Sequence, residues 1–196
     1  PAFSSSRLAI RVSGVESMTS SRLKHQRFER RQTMHKQSYE IFRYKDAYPK
    51  EVTLHHHDFY EVYFFLSGNV QYNIESRSYL LTPGDVLLIS PMELHQPMFG
   101  QEQREYERIV LWIDKQFLEG FSLPNQNLTS CFDTGSLHHT NLLRPEGVAR
   151  QFLMFLLEQL MTESAGEDPY REISALSYLA QVLVSLNRLA LQQREE

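Results

Sequence analysis

At 196 residues the chain is long enough for one domain with a substantial core, and 41% hydrophobic with 12% aromatic content is ordinary for a globular protein. A formal net charge of −4 gives no overall electrostatic reason to bind a polyanion, so this segment is not expected to read nucleic acid by itself. Cys131 has no partner for an intrachain disulfide, no stretch approaches the roughly 20 apolar residues of a bilayer span, and no secretory signal pattern opens the chain. These features lead to the expectation of a cytoplasmic protein without membrane contact.

Residues 1–37 read as an N-terminal arm. Its first methionine is Met18, and the residues ahead of it are set aside from functional reading. The basic residues Arg22, Lys24, Arg27, Arg30, Arg31 and Lys36 read as a solvated face in preference to a phosphate site. Strands are predicted next over Tyr39 to Tyr44, Val52 to His57, Phe59 to Leu66, Val70 to Glu75, Tyr79 to Leu81, Val86 to Ile89 and Arg104 to Trp112. Each is rich in β-branched or aromatic residues. Between them lie Ala47-Tyr48-Pro49, Ser67-Gly68-Asn69, Thr82-Pro83-Gly84-Asp85 and Ser90-Pro91, the residue types that turns require. Many short strands at this spacing imply a sandwich or closed barrel, predicted over residues 38–145. Asp114 to Phe121 reads as a short helix, and Cys131 to Leu143 as a return to the sheet.

From Gly147 onward the period changes. Pro145 and Glu146 suit a first helical turn, followed by Val148, Phe152, Leu153, Phe155, Leu156 and Leu160. Asp168 as N-cap and Pro169 at the first position predict a second helix over about 169–191. Its apolar face is wider than packing on one neighbour needs. Leu176, Ala180 and Leu183 form one stripe; Leu179, Val182, Leu186 and Leu189 form another. One stripe is expected inside the chain and the other in a homodimer interface, so Leu176, Leu179, Val182, Leu183, Leu186 and Leu189 are the predicted interface residues. Residues 146–196 are thus read as a helical dimerisation segment.

The sharpest chemical signal is His55-His56-His57-Asp58-Phe59-Tyr60-Glu61. On extended backbone His55, His57 and Glu61 share parity, so two imidazoles and a carboxylate project to one side, while His56 points away. His95, after Pro83-Gly84-Asp85, can be brought beside them by a neighbouring strand. Three imidazoles and one carboxylate suit zinc, nickel, iron or manganese; a set of hydrogen-bonding pocket histidines is the alternative. Tyr63, Phe65, Tyr72 and Trp112 can line an effector pocket or serve as ordinary core.

These residues resemble a family. His55 to Gly68 is similar to the first cupin motif, with His-x-His, a Glu four residues on, and a closing Gly; Gly84 to His95 resembles the second. The chain departs from the pattern at Glu93, where many metal cupins have Gly, and at Pro49, where the first motif has its leading Gly. The stretch HHHDFYEVYFFLSGNVQYNIESRSYLLTPGDVLLISPMELHQP resembles, along its length, the sensor domains of AraC-type transcription regulators. That resemblance, over about residues 38–191, implies a mainly β fold, a cupin double-stranded β-helix (jelly-roll) barrel followed by a C-terminal antiparallel helical pair. It also implies a small-molecule effector, with a carbohydrate among the options, bound near His55, His57, Glu61, Tyr63, Tyr72, His95 and Trp112. No cofactor is required by such a sensor, and no catalysis is expected of it. A homodimer is implied, with DNA contacted only through helix-turn-helix units following Glu196. The alternative function is a metal-dependent cupin enzyme, a dioxygenase or isomerase, using His55, His57, Glu61 and His95 as ligands; a carbohydrate-binding module leaves the apolar second helix without a role.

Overall fold

A computed structural model describes residues 32–47, 51–100, 105–137 and 139–195. Most of the N-terminal arm, with the basic residues from Arg22 to Arg31, and also Pro49 and Arg104, lie outside the described residues. The strands are β1 (Tyr39–Asp46), β2 (Tyr60–Ser67), β3 (Val70–Ile74), β4 (Arg77–Leu80), β5 (Val86–Ile89), β6 (His95–Phe99), β7 (Tyr106–Ile113) and β8 (Leu142–Leu143). The helices are α1 (Lys115–Phe121), α2 (Gly147–Ala165) and α3 (Arg171–Glu195). All strand pairs are antiparallel, in one sheet of order β1-β7-β2-β5-β8 and a second of order β4-β3-β6.

The larger sheet is the middle of three layers, because both of its faces are apolar. In β2, Glu61, Tyr63 and Phe65 face the smaller sheet, while Val62 and Phe64 face the helices; in β5, Leu87 and Ile89 oppose Val86 and Leu88 in the same way. This is why "VYFFL" and "VLLI" read as unbroken apolar runs: a sheet covered on both sides has no solvent face to mark with polar residues. At the β4–β5 turn Gly84 has φ 100°, a backbone conformation that favours glycine, and the Arg150 side chain of α2 lies over it.

The expected mainly β unit with a C-terminal helical pair is present. Several expectations change. Val52 to His57 does not form a strand; only His55 pairs, through a single bridge to His95. Conversely His95–Phe99 is a strand despite Pro97, which is tolerated because β6 lies at the edge of its sheet and needs no donor there. Of the predicted return from Cys131 to Leu143, only Leu142–Leu143 joins the sheet, against β5; Ser130–Phe132 is a 3-10 turn. Among the described residues the two sheets are separately hydrogen-bonded, so a barrel with a continuous ladder is not formed. The second helix begins at Arg171, two residues beyond the predicted Pro169 start, because Tyr170 takes φ 65°.

The interface stripe on α3 requires correction. Leu179, Val182, Leu183 and Leu186 are fully buried within this chain, in one cluster with Leu153, Leu156, Leu157 and Leu160 of α2 and with the outer face of the larger sheet. Leu176 and Leu189 are partly buried against that cluster. Helical period alone makes two stripes; the sheet and α2 together cover both. The exposed apolar side chains are others: Val148, Phe152 and Phe155 on α2, and Ile173 and Leu191 on α3. By length and hydropathy Arg171–Gln193 would pass as a bilayer span, yet its buried leucines pack on α2 and the sheet, as in a core helix.

Candidate functional site

His55, His57, Glu61, Tyr63, Tyr72, His95 and Trp112 all come together between the two sheets. Glu61 and Trp112 are directly opposed across the β2–β7 ladder, and Trp112 Nε1 donates to Glu61 Oε2 at 2.9 Å. The His55–His95 bridge brings the two histidine segments together, with ring centroids 4.3 Å apart. His57 stacks flat on Phe59 at 3.9 Å and meets His95 edge-on at 4.8 Å. Tyr72 lies parallel to His95 at 6.3 Å, and Tyr63 contacts Tyr72 at 4.9 Å. His56 is exposed, as its parity predicts.

The tautomers follow from the backbone. A carbonyl oxygen only accepts, so the imidazole nitrogen facing one carries a proton. His55 Nδ1 donates to the Thr53 carbonyl at 2.9 Å, His57 Nδ1 to that of Phe59 at 2.9 Å, and His95 Nδ1 to that of Glu93 at 2.8 Å. The His95 Nε2 is therefore available as a lone pair, and all three rings are held in orientation by the outer hydrogen bonds that metal-ligating histidines use. His95 Nε2 is buried without a hydrogen-bond partner. His57 Nε2 lies 3.2 Å from Glu61 Oε2, a contact that requires a proton or a cation between the two atoms. The ligand atoms of His57, Glu61 and His95 lie within 4.8 Å of one another; His55 is adjacent but outside this tightest group. The donor set fits a divalent transition metal.

Burial would raise the Glu61 carboxyl, yet the His57 hydrogen bond and the surrounding imidazoles hold it down at about 2. Burial pushes His95 down to about 4 and lowers His55. A buried carboxylate beside the His95 imidazole thus forms a cluster that attracts a cation. One consequence is testable on metal-free protein. Between about pH 6.5 and 4 the unfolded chain protonates this histidine while the folded chain does not, so stability falls as pH falls through that window. His95 is expected to cost about 2 kcal/mol between pH 7 and pH 5, with Glu61 adding its loss only below the ordinary carboxylate range. Urea titrations in EDTA at several pH values measure this; stability unchanged or rising on acidification would contradict a buried neutral His95.

The sequence reading missed Arg108, Tyr106 and Tyr44. The Arg108 guanidinium is buried, pairs with Asp46, and lies over the Tyr44 ring at 4.9 Å and the Tyr106 ring at 4.1 Å. Tyr106 in turn hydrogen-bonds Tyr63 through their hydroxyls. Parity was the available signal, since Tyr106, Arg108 and Val110 alternate into the same face as Trp112. A small cavity of about 30 Å³ lies beside these groups, bordered by His55, Glu61, Tyr63, Tyr72, Arg108 and Gln32; of the tightest donor group Glu61 alone lines it. That is room for one ion or water. A larger concavity of about 550 Å³ lies outside, between Phe64, Leu66, Pro83 and α2 residues Met154 and Phe155. It is open, and its polar lining is Arg150, Gln151 and Glu158 of α2.

Such an interior, a three-histidine and carboxylate cluster inside an antiparallel β unit that carries a helical pair, defines a small-ligand-binding class. The family of AraC-like ligand binding domains matches residues 38–183, and the chain belongs to that family. No curated protein matches. Among solved structures the AraC-like transcriptional activator CuxR is similar at 16% identity, over 69% of this chain and 43% of that one, with a TM-score of 0.47. The DMSP lyase DddQ from Ruegeria pomeroyi DSS-3 shares 22% identity over 41% of this chain and 40% of its own, with a TM-score of 0.36. A Cupin 2 conserved barrel domain protein from Salinispora arenicola CNS-205 shares 19% over 41% and 66%, also at 0.36. The chain spans less than half the length of CuxR and of DddQ.

Proposed function

We propose that this chain is the effector-sensing part of an AraC-type regulator whose signal is a divalent metal ion, zinc, nickel, iron or manganese, held by His57, Glu61 and His95 with His55 alongside. Tyr63, Tyr72 and Trp112 complete the wall, and Trp112 fixes the carboxylate. The observation that carries this reading is the buried group of His57, Glu61 and His95, whose ligand atoms lie within 4.8 Å of one another, with both imidazoles fixed by backbone carbonyls. The cavity size favours an ion over a sugar: a carbohydrate requires Gln32, which borders the cavity, and Met34, which packs on the interior cluster, to move aside. The same ligands would serve a metal-dependent cupin enzyme; the cavity of about 30 Å³ beside Glu61 offers a substrate little room, which favours the sensor.

In this reading the acidic segment makes no operator contact of its own, and DNA is bound through a separate region of the same cytoplasmic protein. A homodimer pairs through the exposed apolar side chains Val148, Phe152 and Phe155 of α2 with Ile173 and Leu191 of α3. A thermal-shift panel of metal salts, sugars and small carboxylates tests the effector class, since a ligand bound only by the folded state stabilises it by about 2.7 kcal/mol at 100 times its Kd. Zinc or nickel is expected to raise Tm by several degrees, reversibly with EDTA. Stabilisation by a sugar in EDTA, with no response to any metal, would overturn the metal reading.

A further inference from the structure

Glu93, the residue that departs from the second cupin motif, ties the His95 turn to the rest of the chain. Its carbonyl accepts from His95 Nδ1 at 2.8 Å, and its carboxylate accepts from the Ser90 amide at 2.7 Å and from Asn141 Nδ2 at 3.1 Å. The same turn grips the other histidine segment, where the Met92 amide donates to the His57 carbonyl at 2.8 Å. Ser90, buried, donates its hydroxyl to the Phe132 carbonyl in the 3-10 turn. One residue earlier, the Cys131 amide donates to Asn187 Oδ1 on α3 at 2.9 Å. Asn187 Nδ2 closes the arrangement by donating to the Leu128 and Leu183 carbonyls, each at 2.9 Å. Polar contacts therefore run without a gap from a metal-ligating imidazole to the C-terminal part of α3.

We propose that this chain of contacts, His95–Glu93–Ser90–Phe132/Cys131–Asn187, relays occupancy of the His57, Glu61 and His95 cluster to α3, with Asn187 as the output. The inference rests on the metal reading above for its natural signal. Two physical points support transmission. The Ser90–Phe132 hydrogen bond is buried and costly to leave unmade, and the others are partly buried, so a shift of the His95 turn is passed to its partners instead of being absorbed at one broken contact. The turn is also held in an uncommon backbone conformation, with Met92 at φ 71°, so it has a conformation to relax from. Ser90 and Asn187 touch neither the cation site nor each other, and a simple staple would fix α3 equally in both states of the site. A relay makes α3 differ between them, and linkage requires that cutting it leave the two sites independent.

The test is hydrogen exchange of the α3 amides beyond Leu183 in the full chain, with and without saturating zinc chloride, bound zinc being measured in the same samples. In the unaltered protein zinc is expected to slow exchange about fivefold or more, within the ordinary range of coupling between sites. In Ser90→Ala, and independently in Asn187→Ala, zinc is expected to bind fully while exchange slows less than about twofold. Bound zinc with no slowing in the unaltered protein, or equal slowing in both variants, overturns the relay. Failure to bind zinc overturns the metal reading instead. In that case Glu93→Ala without metal decides the relay: faster exchange at the α3 amides supports it, and unchanged exchange removes it.

Discussion

Replacing His57 and His95 together by alanine is expected to weaken zinc binding more than 100-fold while leaving a folded protein. Loss of an outer hydrogen bond to a metal ligand already costs about 10–100-fold in affinity, and this double variant removes two of the three groups in the tightest cluster. Glu61 and the adjacent His55 remain, but one carboxylate hydrogen-bonded by Trp112 with one imidazole outside the tight group is a weak site. The Trp112→Phe variant grades the effect: it keeps every ligand, removes the 2.9 Å bond to Glu61 Oε2, and is expected to cost about tenfold. Zinc must also displace the proton shared by His57 Nε2 and Glu61 Oε2, so binding is expected to release about one proton and to tighten as pH rises. Calorimetry in two buffers of different ionisation enthalpy measures affinity and proton release together. Near-native affinity in the double variant, with an unchanged circular dichroism spectrum, would place the metal elsewhere.

Much of this site was legible because strand parity is a strict rule. His55, His57 and Glu61 on one side and His56 on the other follow from alternation, while Trp112 opposite Glu61 follows from the β2–β7 register. What escaped the sequence has identifiable physical causes. Pro97 reads as a breaker, and only the sheet order shows that β6 is an edge where a missing donor does no harm. Arg108 looks like a surface cation in sequence; its pairing with Asp46 and its place over two tyrosine rings depend on the β1–β7 register. Glu93 stands where a glycine was expected, and its role appears only once Ser90 and Asn141 are folded onto its carboxylate. The helices posed a different problem. Period fixes which residues share a face, but not how many neighbours cover that face.

That ambiguity leads to the other large expected effect: Leu186→Glu unfolds the chain and does not merely separate a dimer. Leu186 is fully buried in the cluster that α2, α3 and the outer face of the larger sheet build together. Truncating such a leucine to alanine costs about 2–5 kcal/mol. Placing an uncompensated carboxylate there adds the desolvation of a charge, which a domain stable by about 5–15 kcal/mol does not survive. Leu179, equally buried, should behave the same way. Ile173 and Leu191 are 69% and 56% exposed on the same helix, so Ile173→Glu and Leu191→Glu should each alter folding stability by no more than about 0.5 kcal/mol. If the helices pair with a second copy through their exposed side chains, those two variants are the ones that yield a folded monomer. Urea denaturation together with sedimentation velocity on all four variants separates the outcomes. A folded, monomeric Leu186→Glu protein would mean that α3 does not pack on the sheet and α2 as described, and would return Leu186 to an interface between chains.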